Sequence, residues 1–556
     1  MSLLAFLGLA FGGAAVSLLV RRREALSTGV GVAGLAGAVL AAAAIGGDAS
    51  VPIGGGRLEA SEYLRLFAVL GSIASLLLVL LGLVTTSHRH APGVVLAGLG
   101  AGVLALAMPD PQAAVIAATA GGLIGILVTV TPPATSRGVV VGVRELRALA
   151  IAGALAILAS AWIGRPLDEL LAEPAVFGLA YLGFVVGVAI RFGAIPFHFW
   201  AARLADAAPE IALPMLVAWG PAAFGVVALS WIDQSVAPLA LPLIAERGLV
   251  AAVGVASILL GSVAAWIQDD LEHVVGYTII SDAGVAILGL AVLDSTAWQP
   301  ARTWILVYLV TRSAFAAWAV AVRGAFGTRR VAELGGWIRK APLLAAALAV
   351  IVIASIGWPG FVAWEARASL IDAAIGPPLA FIVLIGALGP LAAYGRLAAV
   401  GLRPRSAAVA GGSDERPRWP SSSPTRPVVG RGSLERAFAR RGEAIGRSVD
   451  LLSAVPGALQ ANRTPIAAVI VLAMAGLSFG VAAGGFGIAA AAAAVPQTEG
   501  PTEPTSPSGP SVPPASASPT LPPAAGSAPP ATSSVPSPDV ASPTAEPSFE
   551  PVPNPS

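Results

Sequence analysis

The feature that most constrains this chain is a repeated apolar run long enough to cross a lipid bilayer. Runs of about 20 apolar residues are typical of membrane-spanning helices. We predict fourteen such spans, over 2–20, 28–46, 64–86, 91–108, 111–131, 145–163, 174–198, 211–232, 248–267, 273–293, 300–322, 342–361, 377–399 and 464–485. The composition agrees, because 56% of the residues are hydrophobic and 12% are charged, about half the charged fraction of a soluble domain. The sequence therefore predicts an all-α polytopic membrane protein.

The positions of the basic residues predict the orientation. Arginine and lysine are concentrated in the loops on the cytoplasmic side of a membrane. With the N-terminus outside, the inside loops receive the basic groups 21–23, 137–147, 323–340 and 400–463. Fourteen spans then place the C-terminus outside as well, and no basic residue follows Arg463.

Five segments follow from these patterns: N-terminal spans (1–90), a membrane core (91–400), an Arg-rich inside loop (401–463), the last span (464–496) and a tail (497–556). Within the loop, residues 432–452 have an amphipathic pattern and are predicted to lie on the inner membrane surface. The tail consists mainly of Pro, Ser, Thr and Ala, so we expect a disordered extracellular extension.

Several classes of site are excluded by composition. The chain has no cysteine, which removes disulfides, thiolate zinc sites and cysteine-bound iron–sulfur clusters. Its four histidines are too scattered for a metal or haem site, and its net charge of +2 gives no reason to expect a nucleic-acid partner. Lys340 is the only lysine, and it is therefore the only basic side chain besides histidine that can readily lose a proton.

Two segments at helix ends contain the most distinctive motifs of the chain. The first, 191–209, contains Pro-Phe-His-x-Trp followed by Ala-Pro. The second, 268–284, contains Gln-x-Asp-Leu and Tyr-x-x-x-Ser, and Gly-Trp-Pro-Gly-Phe follows at 357–361. These motifs resemble those of the antiporter-like membrane subunits of NADH:quinone oxidoreductase, multisubunit cation/proton antiporters and membrane-bound hydrogenases. The matching positions are Arg191, Pro196, Phe197, His198, Trp200, Pro209, Gln268, Asp270, Leu271, Tyr277, Ser281 and Gly284.

The resemblance implies two inverted five-helix repeats, each with a broken helix beside a hydrated path. Pro214, Gly220 and Pro221 are suited to one break. It also implies that NADH and quinone are used by the complex, with no cofactor and no catalytic centre in this chain. The implied partners are other membrane subunits, the lipid bilayer, and protons or cations. The implied location is the plasma membrane of a bacterium.

The sequence departs from the family at the residues to which proton transfer is attributed. The family's buried glutamate is expected in or near 111–131, where glycine and alanine stand, and its broken-helix lysine is expected at 220–222. In the second motif, Glu272 and His273 replace a lysine and an arginine, and Asp282 replaces a histidine. In the span 300–322, Arg312 is the basic residue nearest to an expected lysine. After the Gly-Phe loop, Glu365 replaces another lysine.

The ionisable residues left at membrane depth are the candidates for an ion path: Arg191, Asp282, Arg312, Glu272 and His273. An isolated charge in a membrane is costly, so we expect Asp282 and Arg312 to pair. Arg191 either extends to the inner interface or anchors a hydrated centre. His198 is expected to have a structural role, and His273 to lie in solvent at a helix end.

Three functions follow from these observations. The first is a membrane subunit of a proton-translocating NADH:quinone oxidoreductase-like complex, with an altered or impaired proton path. The second is a non-pumping scaffold of the same fold, and the third is a stand-alone ion transporter built around Asp282, Arg191 and Arg312. A membrane enzyme is disfavoured, because no outside loop has acids and histidines at catalytic spacing.

Overall fold

The computed structural model describes residues 2–47, 49–54, 56–85, 91–130, 136–163, 174–204, 208, 211–294, 297–377, 379–404 and 463–494. Most of these residues are helical. The predictions for the inside loop, its amphipathic segment and the tail lie almost wholly outside this part of the chain, as does Pro209.

The first five helices form the N-terminal part of the bundle. They are α1 (Ser2–Leu19), α2 (Glu24–Ala43), α3 (Glu62–Thr85), α4 (Ala91–Leu106) and α5 (Pro111–Val130). Between α2 and α3 the chain forms a short antiparallel hairpin, β1 (Ser50–Ile53) and β2 (Gly56–Glu59). The sequence analysis did not predict this hairpin. Val51 and Leu58 are paired and buried, so each strand turns one apolar side chain toward the protein.

The middle of the chain supplies the helices that hold most of the charged groups. They are α6 (Ser136–Ile163), α7 (Pro174–Arg191), α8 (Phe199–Leu204), α9 (Gly220–Trp231), α10 (Ile244–Ile267), α11 (Leu271–Ala291) and α12 (Trp298–Phe326). A π-helical turn, Met215–Trp219, leads into α9, and a second, Ile232–Val236, follows it.

The remaining helices are α13 (Trp337–Lys340), α14 (Pro342–Ile356), α15 (Val362–Ile375), α16 (Leu379–Ala387), α17 (Pro390–Leu402), α18 (Arg463–Ala482) and α19 (Ile488–Ala493). The sequence analysis did not predict α15. This helix carries Glu365, Arg367 and Asp372, and these charges interrupt the hydropathy from which spans are predicted.

The described residues contain eleven helices that are long and apolar enough to cross a membrane. Each coincides with a predicted span. The other three predicted spans, 91–108, 111–131 and 342–361, coincide with the shorter apolar helices Pro92–Leu106, Pro111–Ile126 and Pro342–Ile356. The polytopic helical fold is therefore confirmed, whereas the count of fourteen and the inverted repeats stay predictions.

Helix α12 lies at the centre of the bundle, and its membrane-spanning window is fully buried. It packs against α3, α11, α14, α15 and α18. Helices α10 and α11 pack closely through small residues. A Cβ on Gly261 would lie 2.9 Å from the backbone nitrogen of Ser281, and a Cβ on Gly284 would lie 2.6 Å from the carbonyl oxygen of Gly254. Glycine is required where two helix backbones approach this closely.

Candidate functional site: two buried charged clusters

The first cluster is centred on Arg312, which α12 places in the interior of the bundle. Arg312 is 1% exposed, and its Nε donates to Oδ2 of Asp282 at 2.5 Å. Its Nη2 donates to Oγ of Ser355 at 2.8 Å, and its Nη1 donates to the hydroxyl of Tyr394. The predicted pairing of Asp282 with Arg312 is therefore present in the structure. The four side chains come from α11, α12, α14 and α17, so only the tertiary fold brings them together.

A second arginine faces the same carboxylate. Arg367, on α15, is 2% exposed and interacts electrostatically with Asp282 and with Arg312. Its guanidinium lies 5.4 Å from the ring centres of both Trp304 and Trp364, and Nη2 donates to the last carbonyl of α14, on Ile356. The cluster thus has two guanidinium groups for one carboxylate. Sequence reasoning missed Arg367, whose only sequence signal is a basic residue six positions after the Gly-Trp-Pro-Gly-Phe motif.

The second cluster joins Arg191 to an acid that sequence reasoning also missed. Arg191, the last residue of α7, is 7% exposed, and Glu145, on α6, is 1% exposed. The two groups interact electrostatically and line one cavity of about 20 Å³, measured as space for the centre of a water molecule. Arg191 therefore faces a buried carboxylate, which favours an anchoring role over extension to the interface.

Glu145 could have been found by extending the search for an acid by a few residues. The family's glutamate was expected in or near 111–131, and Glu145 is the next acid along the chain, with Asp110 the acid before it. Helix α6 begins earlier than the predicted span 145–163, at Ser136, so Glu145 lies inside a helix rather than at its start.

The predicted helix break takes a different form from the one expected. Pro214, Gly220 and Pro221 all remain within helical backbone, and the interruption is the π-helical turn Met215–Trp219, in which the N–H of Gly220 bonds to the carbonyl of Met215. Proline has no N–H, and its ring crowds the carbonyl four residues earlier. A widened turn before Pro221 accommodates both effects without unwinding the helix.

The helix of the π turn and α12 are tied together between the two clusters. Trp219, which precedes Gly220, donates its indole N–H to Oγ of Ser313 at 3.0 Å. Tyr308 donates its hydroxyl to the carbonyl of Ala218 at 3.3 Å. Both bonds are buried. Arg191 does not join Asp282 and Arg312, and the three residues therefore belong to two sites.

Glu272 and His273 lie at the other end of α11, away from both clusters. Glu272 is 6% exposed and accepts a hydrogen bond from Nη1 of Arg323 at 3.2 Å. His273 Nδ1 lies 3.8 Å from Oδ2 of Asp270. The other carboxylate oxygen of Asp270, Oδ1, lies 3.5 Å from Nε of Arg329. Asp282 and Glu272 are ten residues apart on α11, and their partners are eleven apart on α12, as expected for antiparallel neighbours.

The Pro-Phe-His-x-Trp residues shape the chain reversal between α7 and α8. The Ile195–Pro196 peptide is cis, and Gly193 has φ 62°. The indole N–H of Trp200 donates to the carbonyl of Ile190 at 2.8 Å. Phe197 packs against the core, and the His198 ring lies 6.1 Å from that of Tyr277. Burial lowers the pKa of His198 below its ordinary value, and its interaction with the backbone of Pro196 opposes this shift in part.

The second motif forms a turn that contacts the loop after α12. Gln268 ends α10, and Asp270 pairs with Arg330 in an isolated β-bridge. The N–H of Leu271 donates to the carbonyl of Arg329 at 2.9 Å. Within α11, the hydroxyl of Ser281 lies 2.9 Å from that of Ser262. These residues position helices α10–α12.

The end of α12 opposite Arg323 carries a fourth buried arginine. Arg302 is 3% exposed, interacts electrostatically with Asp233, and accepts a hydrogen bond at its backbone carbonyl from the hydroxyl of Tyr63 at 3.1 Å. Tyr63 also lines a cavity of about 560 Å³ beneath the hairpin. In the part of the chain that the structure describes, no three His, Asp or Glu side chains come close enough to hold a metal ion.

The sequence of the chain is similar to those of known membrane proteins. The profile of the NADH:quinone oxidoreductase/Mrp antiporter transmembrane family matches residues 152–391. This match spans less than half of the chain, and over these residues the chain resembles the antiporter-like membrane subunits. It is 24% identical over 220 residues to the NADH-quinone oxidoreductase subunit N of Nitrosomonas europaea, covering 39% of this chain and 45% of that protein. It is 29% identical over 222 residues to subunit N 1 of Streptomyces griseus, covering 40% of this chain and 45% of that protein.

Solved structures extend the similarity of fold to most of this chain. A chain of the Mrp complex from a Dietzia species superposes with a TM-score of 0.65 at 18% identity, covering 89% of this chain and 96% of that chain. A chain of respiratory complex I from Thermus thermophilus gives a TM-score of 0.59 at 19% identity, covering 86% and 100%. The sequence match to the curated relatives spans less than half of their length. The predicted resemblance is confirmed, and the chain is a multi-pass membrane protein with the fold of these subunits.

Proposed function

We propose that this chain is a membrane subunit of a proton-translocating respiratory complex of the NADH:quinone oxidoreductase type. The observation that carries the proposal is the cluster of Asp282, Arg312, Tyr394 and Ser355, buried on the central helix of the bundle. Ionisable residues inside a membrane protein are costly, and they usually mark an ion or proton pathway.

Within this cluster the acidic side chain is that of Asp282, which accepts a hydrogen bond from Arg312. A guanidinium does not release its proton at physiological pH, so Arg312 and Arg367 act as fixed positive charges. They stabilise the carboxylate, and they lower the cost of holding a charge away from water. The family's lysine-based row is therefore replaced here by carboxylates beside arginines, and the proton path is altered accordingly.

The chain acts with partners in this proposal. Other membrane subunits bind its lipid-facing helices in the plasma membrane of a bacterium, with both termini outside. NADH and quinone react elsewhere in the complex. The relatives include subunits of a complex I and of an Mrp complex, and a multisubunit assembly of either kind accommodates such a chain.

A non-pumping scaffold is the second candidate. The observation in its favour is that both buried clusters use arginine, and the only lysine, Lys340, lies in the short helix α13. In such a scaffold the ion pairs hold helices together and no proton moves.

Two experiments separate these functions. Purification from native membranes in a mild detergent, followed by mass spectrometry, is expected to recover quinone-reductase or hydrogenase-type subunits. Recovery of the chain alone would contradict the subunit assignment. Proton flux is then measured in vesicles containing the purified assembly. Asp282→Asn is expected to abolish most of the flux, and the matched variant Asp269→Asn, at an 81% exposed carboxylate, is expected to leave it unchanged. Equal flux in both variants would favour the scaffold.

A further inference from the structure

A cavity of about 850 Å³ lies beside the end of α12, apart from the two buried charged clusters. Its walls are the turn after α12, which includes the 3-10 helix Val331–Leu334, and the last turns of α17. Its volume falls within the roughly 300–1,000 Å³ of cavities that hold small molecules. These walls belong to the predicted inside loop 323–340 and to the start of the predicted inside loop 400–463, so the cavity lies on the side predicted to be cytoplasmic.

One face of α17 lines this cavity. Arg396, Ala399, Val400 and Arg403 all contribute to the wall, and their spacing of three, four and seven residues places them on one side of a helix. Ala399 and Arg403 are exposed, and Val400 is half-buried. The lining face of α17 therefore has an apolar middle and a guanidinium group at each end.

The contacts of Arg396 show the depth of this face in the membrane. Its Nη1 donates to the carbonyl of Trp266, near the end of α10, and the side chain of Trp266 is 51% exposed. Exposed tryptophan is typical of the boundary between the hydrocarbon core and the headgroups. Arg403 follows seven residues later, which places it about 10 Å further along the helix. Because the headgroup region on each side of a bilayer is about 5–8 Å thick, the lining face spans that region.

The charges around the cavity leave one guanidinium uncompensated. Arg396 Nη2 lies 2.8 Å from Oδ1 of Asp269. Glu333, on the turn after α12, lies 3.6 Å from Nη1 of Arg330. Arg403 forms no ion pair with any residue that the structure describes. A guanidinium at this level attracts anionic headgroups, and its planar donors match the oxygens of a phosphate group.

We propose that this cavity binds the headgroup of an anionic phospholipid. The phosphate accepts hydrogen bonds from Arg403, and the positive charge of Arg396 attracts it to the same face. Ala399 and Val400 contact the apolar part of the lipid next to the phosphate. Glu333 accepts hydrogen bonds from headgroup hydroxyls, which favours phosphatidylglycerol. The bound lipid bridges the turn after α12 and the end of α17, so it stabilises the cytoplasmic end of the central helix.

The first test is native mass spectrometry of the full chain in a mild detergent, with phosphatidylglycerol or phosphatidylcholine added, together with the midpoint of thermal unfolding. The chain is expected to retain phosphatidylglycerol in preference, and this lipid is expected to raise the midpoint because it binds the folded state. Arg403→Gln should weaken that binding about tenfold, as expected for the loss of one charge-assisted hydrogen bond. Arg403→Lys should keep most of it. The matched control is Arg339→Gln, at an exposed arginine of α13 that does not line the cavity.

A second pair of variants tests the cavity itself and keeps every charge. Ala399→Trp fills the space between the two arginines and is expected to weaken phosphatidylglycerol binding as much as Arg403→Gln does. Its control is Ala392→Trp, at an exposed alanine two turns earlier on α17 that does not line the cavity. Both alanines are exposed, so neither substitution disturbs the packing of the bundle.

Four results would overturn the proposal. They are equal retention of the two lipids, equal losses in Arg339→Gln and Arg403→Gln, undiminished binding in Ala399→Trp, and a rise of the midpoint with inorganic phosphate alone that matches the rise with phosphatidylglycerol. The last result would assign the cavity to free phosphate instead of a lipid. None of these measurements involves proton flux, so this inference and the proposed function can fail separately.

Discussion

The ion pair of Asp282 and Arg312 is expected to be a strongly coupled interaction, and a double-mutant cycle can measure it. Asp282→Asn leaves the guanidinium of Arg312, 1% exposed, without its carboxylate partner and close to the second guanidinium of Arg367. Arg312→Gln removes the charge-assisted bond to Asp282 and the bonds to Tyr394 and Ser355. Removing one partner of a buried pair costs about 3–5 kcal/mol.

The two single variants are therefore expected to lose about 3–5 kcal/mol each. The double variant Asp282→Asn/Arg312→Gln leaves no unpaired charge from this pair. Its loss should be smaller than the sum of the single losses by about 2–3 kcal/mol, the upper range of coupling for contacting residues. The assay is reversible unfolding in mixed micelles of a mild detergent and dodecyl sulfate, followed by circular dichroism.

An exposed pair of the same residue types is the control. Arg396 Nη2 lies 2.8 Å from Oδ1 of Asp269, whose side chain is 81% exposed, and a surface pair contributes about 0–1 kcal/mol. Asp269→Asn should then lose far less stability than Asp282→Asn. Equal losses at the two aspartates, or single losses at the buried pair that simply add, would refute the reasoning.

Three further predictions rest on the helix packing and on the turn after α7. Gly261→Ala should lower stability by about 1–3 kcal/mol, because its Cβ would lie 2.9 Å from the backbone nitrogen of Ser281; Gly248→Ala, which meets open space, is the control in the same unfolding assay. The lowered pKa of His198 means that the folded chain binds fewer protons there than the unfolded chain, so stability should fall as pH drops below about 6.5, and His198→Gln should remove that part of the pH profile. Pro221→Leu restores a backbone N–H and should convert the π turn to regular α-helix, which cysteine labelling near 220 in this cysteine-free chain can detect; an unchanged labelling pattern would contradict it.

The predicted spans agree with the structure because bilayer thickness imposes a length that hydropathy alone reveals. Each predicted span has a helix at its place. The helix α15 was missed because its three charged residues lower its hydropathy. Only Arg367 among them is buried in the structure, and Glu365 and Asp372 are exposed. The β-hairpin was missed because each of its two strands has only four residues, too few for an alternating pattern to stand out in the sequence.

The candidate site was predicted in part. Pairing of Asp282 with Arg312 followed from the cost of isolated charges inside a membrane. Glu145 and Arg367 were not found, because nothing in their sequence neighbourhood states which helices pack against them. The expected unwinding at Pro214–Pro221 was replaced by a π turn, which accommodates the missing N–H of Pro221 within helical backbone.

The sequence by itself determined that this chain is a polytopic helical membrane protein that resembles the antiporter-like subunits, because span length, charge distribution and turn motifs are local properties. Only the tertiary structure decided which charges meet. Arg191 and Glu145 line one cavity beside Gly122 and Gly220. Arg312 donates hydrogen bonds to side chains on three other helices. The energy of a buried charge depends on its neighbours within a few ångströms, and those neighbours lie on helices far apart in the sequence.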